Sequence, residues 1–132
     1  MAYYYLVSCK CGHVGRDKYI PINFAVTAES GEEAAYIARY IPRVKHDHKD
    51  AILECRRVDY ETFIEQIAIN DVDPYLLCKS KHEQKAIMSQ IKSRLVEEPN
   101  YKGGKIRQKY SHRPNLFLQS IKYASSIFDY SY

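Results

Sequence analysis

At 132 residues, with 45% apolar and 27% charged side chains, the chain has the size and composition of one globular domain that can bury a core without obligatory disulfides. Its uncharged apolar runs are far too short to cross a bilayer, and the opening MAYYYLVSC lacks the basic and long apolar regions of a secretion signal, so a cytoplasmic protein with no membrane contact is expected. The net charge of +4 is uneven: residues 1–101 hold 14 Lys and Arg against 15 Asp and Glu, whereas residues 102–132 hold six (Lys102, Lys105, Arg107, Lys109, Arg113, Lys122) against Asp129 alone. A basic end on a near-neutral body points to a polyanionic partner.

The aromatic and β-branched run at residues 3–9 predicts a strand, and residues 19–28 predict a second, with Ile20, Ile22, Phe24 and Val26 alternating onto one face. Gly12 and Gly15 between them predict a hairpin turn, and Pro21 argues for a strand start or an edge. Ser30 and Glu33 form a capping box that opens a helix whose apolar stripe is Ala34, Ile37, Ala38 and Ile41, and Pro42 ends it. Residues 43–50, RVKHDHKD, read as a polar connection, and residues 51–58 as a third strand. Strand, helix and strand make a βαβ unit, with the first strand placed between the other two and antiparallel to both. That three-stranded antiparallel or mixed sheet is the arrangement of half a ferredoxin-like fold, so the class is α+β.

Further along, Asp59 caps a helix over 60–69, residues 71–75 form a turn, and Ser80 with Glu83 opens a helix reaching about Val96. Pro99, Gly103 and Gly104 mark a loop, and Phe117, Ile121, Ala124 and Phe128 have the spacing of a last helix. The organisation expected is a single domain over 1–132, with a hairpin and βαβ core at 1–58, a helical part at 59–98, a basic loop at 99–113 and a terminal helix at 114–130. The expected core is Leu6, Ile20, Ile22, Phe24, Val26, Ile37, Ile41, Leu53, Ile87, Ile91 and Leu95.

Two groups of residues carry functional expectations. Cys9, Cys11 and His13 leave a strand at alternate positions and could converge on one ion. Cys78, with His82 just beyond it, supplies a fourth donor for tetrahedral zinc. The CKCG stretch resembles half of a zinc-ribbon knuckle, with one residue between the cysteines where two are usual and no matching second pair. The other group is basic: Arg39, Arg43, Lys45, His46, His48 and Lys49 bracket the turn after the first helix. Arg16 lies in the hairpin turn, and Lys105, Arg107 and Lys109 lie in the basic loop. If the 43–50 connection folds back to the hairpin turn, these side chains form a patch for phosphates.

Other chemistry finds little in the sequence. His46, His48 and Asp50 have the HxHxD spacing of metallo-β-lactamase-type hydrolases, but Ala51 stands where a further histidine is needed. GxxG at 12–15 lacks the lysine and hydroxyl residue of a phosphate loop, and no serine has a nucleophile-elbow context. The expected function is therefore a non-enzymatic intracellular binding protein, zinc-stabilised, that contacts nucleic acid or a nucleoprotein. The first alternative is a protein-interaction module, an inhibitor or adaptor such as mobile elements carry, acting on a nucleic-acid enzyme. The second is a small metal-dependent enzyme.

Overall fold

The computed structural model describes residues 2–12, 14, 17–99, 101, 103 and 104. The expected terminal helix at 114–130 lies outside them, as do His13, Arg16, Lys105, Arg107 and Lys109. The described chain runs β1 (Tyr3–Cys11), β2 (Lys18–Ala28), α1 (Gly31–Arg39), β3 (Ile52–Val58), α2 (Tyr60–Asp71), α3 (Pro74–Leu77), α4 (Lys81–Ala86), α5 (Met88–Ile91), a 3-10 turn (Lys92–Arg94) and β4 (Val96–Glu97). It is an α+β fold around one sheet of order β3-β1-β2-β4.

β1 pairs antiparallel with β2 from Tyr3↔Ala28 to Cys11↔Ile20, and antiparallel with β3 on its other side from Tyr4↔Val58 to Cys9↔Ile52. The sheet has four strands rather than the expected three, because Val96–Glu97 turns extended and pairs with Lys18 and Tyr19. The half-ferredoxin unit is not established by this topology, since helices pack on both faces of the sheet. On one face the odd-numbered residues of β1 (Tyr5, Val7, Cys9, Cys11) meet Ile20, Ile22, Phe24 and Val26 under Ala34, Ile37 and Ala38 of α1. On the other, Leu6, Ala25 and Phe63 form a second cluster with Tyr4, Val58 and Ile67, so α2 covers the opposite face.

The helix starts follow their caps. Ser30 Oγ accepts from Glu33 N at 3.1 Å, Asp59 Oδ1 from Thr62 N at 2.8 Å and Ser80 Oγ from Glu83 N at 3.2 Å. In place of one helix reaching Val96, the chain breaks at Ile87, whose backbone leaves the helical region (φ −105°, ψ 7°), and continues as α5 and the 3-10 turn. Of the expected core, Ile87 and Leu95 are only partly buried, and Leu53 is 44% exposed. Leu53 is displaced by a bulge: Ser8 pairs with Glu54 but Cys9 with Ile52, so Leu53 is the extra residue and turns outward.

Phe24 is fully buried against α1. Phe24→Ala should cost about 3–5 kcal/mol of stability in urea unfolding, whereas Leu53→Ala should stay within about 0.5 kcal/mol of the parent.

Candidate functional site

The even-numbered residues of β1 face α2, but α2 reaches only part of that face. At the hairpin end Lys10 occupies it, 1% exposed. A buried ammonium needs anionic partners, and two are supplied by distant segments. Lys10 Nζ donates to Asp50 Oδ2 at 2.8 Å and makes a closer contact with Glu98 Oε1. The rings of Tyr19 and Tyr101 face the same ammonium at 5.0 and 4.8 Å. Tyr101 stacks on His48 with ring centroids 3.8 Å apart, and its hydroxyl reaches the Asp50 carboxylate and, at 2.9 Å, the Gly104 carbonyl.

The 43–50 connection folds back onto the end of β1. Lys10 N donates to Ala51 O, Lys45 N to Lys10 O and Gly12 N to Arg43 O, at 2.9, 2.8 and 2.7 Å. Lys49 N donates to Gly104 O at 3.0 Å. Gly104 has φ +90°, and an added Cβ would lie 3.2 Å from Lys49 Cδ, so this junction needs glycine. The loop, the end of β1 and the residues that precede the basic segment thus share one end of the sheet.

Two of the arginines expected to bind phosphate, Arg39 and Arg43, are engaged by backbone carbonyls. Arg39 Nη1 donates to the carbonyls of His46 (2.9 Å) and His48 (2.7 Å), and Nη2 to Lys49 O (3.1 Å). Arg43 is buried; its Nη2 donates to Leu76 O at 3.0 Å and closely to Cys78 O, and its guanidinium lies over the Tyr75 ring. Tyr75 in turn donates its hydroxyl hydrogen to Gly12 O. Arg39 therefore shapes the loop, and Arg43 ties α3 to the sheet. Of the other expected contacts, Lys49 is exposed, Lys45 and His46 are half-buried, and His48 is buried under Tyr101.

Electrostatics reinforce the lysine cluster. Burial disfavours the Lys10 cation, but hydrogen bonds to Asp50 and Glu98 outweigh it and hold the amine above the ordinary lysine range. Burial likewise opposes the Asp50 charge, and the bonds from Lys10 and Tyr101 outweigh that, holding its carboxyl below the usual range. Burial lowers the pKa of His48. The arrangement is an ionic clamp that joins β1 to Asp50 and Glu98.

Of the expected zinc donors, Cys9, Cys11 and Cys78 are described and His13 is not. Cys9 and Cys11 lie in the α1-side core, where Cys9 Sγ donates to Val7 O at 3.6 Å, and Cys78 Sγ donates to Pro74 O at 3.3 Å. Burial pushes both strand thiols well above their ordinary pKa. His82 is exposed on α4, and among the described residues no group of three or more His, Cys, Asp or Glu side chains could hold a metal ion. Among those residues no helix is long and apolar enough to cross a membrane.

Sequence reasoning missed Lys10, Glu98 and Tyr101, because their partners lie 40 and more residues apart in the chain. Comparisons with protein families, curated proteins and solved structures return no match.

Lys10→Met should destabilise the protein toward the low end of the roughly 3–5 kcal/mol expected when one partner of a buried ion pair is removed, since Asp50 remains half exposed to water. Acidification should weaken the clamp in two steps. Below about pH 6.5 the unfolded state binds a proton at His48 that the folded state resists, so stability falls. The Asp50 contribution, present above about pH 3.9, is lost as pH falls through its depressed folded value. On the alkaline side the Lys10 contribution holds below about pH 10.4 and is lost as pH rises through its raised value. Urea midpoints across pH should show this profile, and Lys10→Met should remove its alkaline limb and shrink the Asp50 limb, to which Tyr101 still contributes, while keeping the histidine step.

Proposed function

We propose that the protein is a non-enzymatic binding protein that contacts nucleic acid or a nucleoprotein through a basic surface at the hairpin end of the sheet. The observation that carries this is the junction at Gly104. The hydrogen bond from Lys49 N to Gly104 O fixes the chain beside Lys45 and Lys49 immediately before the segment bearing Lys105, Arg107 and Lys109. The sequence that follows Gly104 is basic, and the net charge of residues 102–132 is +5 (six Lys and Arg less Asp129).

Lys45, Lys49 and the three segment cations are the phosphate contacts of this proposal. Arg39 and Arg43 support the loop from within. The arginine fork suits phosphate oxygens, but here its donors are engaged by backbone carbonyls. Affinity from such a surface comes mainly from phosphate contacts, with little sequence discrimination and a steep dependence on salt.

The test is binding of the full chain to labelled single- and double-stranded nucleic acid across a salt series. Lys45→Ala with Lys49→Ala should flatten the slope of log affinity against log salt by about 1.4–1.8, two contacts at about 0.7–0.9 each. Lys105→Ala with Arg107→Ala and Lys109→Ala should flatten it further. No binding by the parent even at low salt would end this proposal and favour the interaction module, whose complex with a protein partner would resist salt.

A further inference from the structure

β3 is the outermost strand on its side of the sheet, and among the described residues no strand pairs with its free edge. Proteins usually blunt such edges with proline, lysine or very short strands. The opposite side follows that pattern: β4 has two residues, and β2 beside it carries Pro21. β3 does not. It is seven residues long, ILECRRV, with neither proline nor lysine, and Leu53, Glu54, Arg56 and Arg57 are all exposed.

The charges on this edge are ordered. Glu54 and Arg56 pair with Ser8 and Leu6, so both lie on the α2 face, whereas Cys55 and Arg57 lie on the α1 face opposite Val7 and Tyr5. A second copy that continued the sheet across this edge would run antiparallel about a two-fold axis perpendicular to the sheet, and each face would continue into the same face. A residue can then oppose only residues of its own face, so the axis passes beside a residue that faces itself. Centred on Glu54 the pairing opposes two carboxylates, and centred on Arg56 or Arg57 it opposes two guanidinium groups. Like charges directly opposite each other are unfavourable. Centred on Cys55, Glu54 faces the partner's Arg56 and Arg56 the partner's Glu54.

We propose that β3 is a self-association edge, with two copies of the chain pairing antiparallel about Cys55 through reciprocal Glu54–Arg56 contacts. The bulge at Leu53 leaves residues 54–56 in regular strand geometry in both copies. One strand pair buries less surface than a standard stable interface, so association is expected to be weak and dependent on concentration.

The experiment is sedimentation equilibrium of the full chain up to millimolar concentration at low salt, with circular dichroism to confirm folding. The parent should show a monomer–dimer equilibrium. Arg56→Glu sets an acid against the partner's Glu54, and Glu54→Arg sets a base against the partner's Arg56. Each should weaken association about tenfold or more, since two attractive pairs become two repulsive ones. The double variant Glu54→Arg with Arg56→Glu restores opposite charges in reversed order and should recover the dimer. A parent that stays monomeric throughout would overturn the proposal. So would single variants that dimerise like the parent, or a folded double variant that stays monomeric.

Discussion

The hairpin end of this molecule depends on one buried charge. Lys10 sits in an inner strand with its side chain on the α2 face, at the hairpin end beyond the part that α2 covers. An ammonium removed from water is costly unless several groups replace its hydration. Asp50 comes from the loop after α1, and Glu98 from the chain just beyond β4; the rings of Tyr19 and Tyr101 fill the remaining directions. Satisfying one side chain therefore fixes two segments that have little regular structure of their own. The net contribution of such a cluster to stability is modest beside its effect on geometry, because an unpaired alternative is so unfavourable. Lys10 selects where residues 43–50, 96–99 and Tyr101 lie.

The arginines extend the same logic to the backbone. The 43–50 loop has carbonyls that no strand or helix satisfies, and a guanidinium presents five donors in a rigid plane. Arg39, at the end of α1, engages three of those carbonyls, at His46, His48 and Lys49. Arg43 does the same for the end of α3 at Leu76 and Cys78. A loop held this way is ordered without being part of the sheet, and its exposed lysine is presented from a fixed support. Counting arginines in the sequence as anion ligands overlooked that buried carbonyls compete for the same donors.

What could be read in the sequence was local. The capping boxes at Ser30 and Ser80 and the cap at Asp59 form as written, and the alternation in β2 identifies the α1-side core, because each depends on neighbours within a few residues. Features that depend on distant partners were not legible. The stripe of α2 gives no sign that it packs on the opposite face from α1. The bulge that turns Leu53 outward arises from pairing with β1. CKC reads equally as metal ligands or as core thiols; both cysteines lie in the α1-side core, and the lysine between them is the residue that needs distant partners. β4 is too short to carry any pattern, and it forms where the chain passes β2 on its way to bring Glu98 to Lys10.

Helices on both faces leave the sheet two kinds of surface for contact with other molecules: its outer edge and its hairpin end. These two are coupled by geometry. The hairpin end of β1 lies beside the start of β3, since Cys9 pairs with Ile52. In a sheet continued antiparallel through β3, the hairpin end of one copy therefore adjoins the far end of the other. The two basic ends would then be carried apart along the strand direction by about one strand length, on the order of 20 Å for seven residues. If the hairpin end is the phosphate-binding surface proposed above, a polyanion lying along the strand direction would meet one such surface at each end of the paired sheet. Each end contributes a few weak, salt-sensitive contacts, and joining two of them raises the effective concentration of the second once the first is bound. Weak self-association and weak phosphate binding would in that case reinforce one another, because a strand of polyanion holding two copies would also hold their β3 edges close.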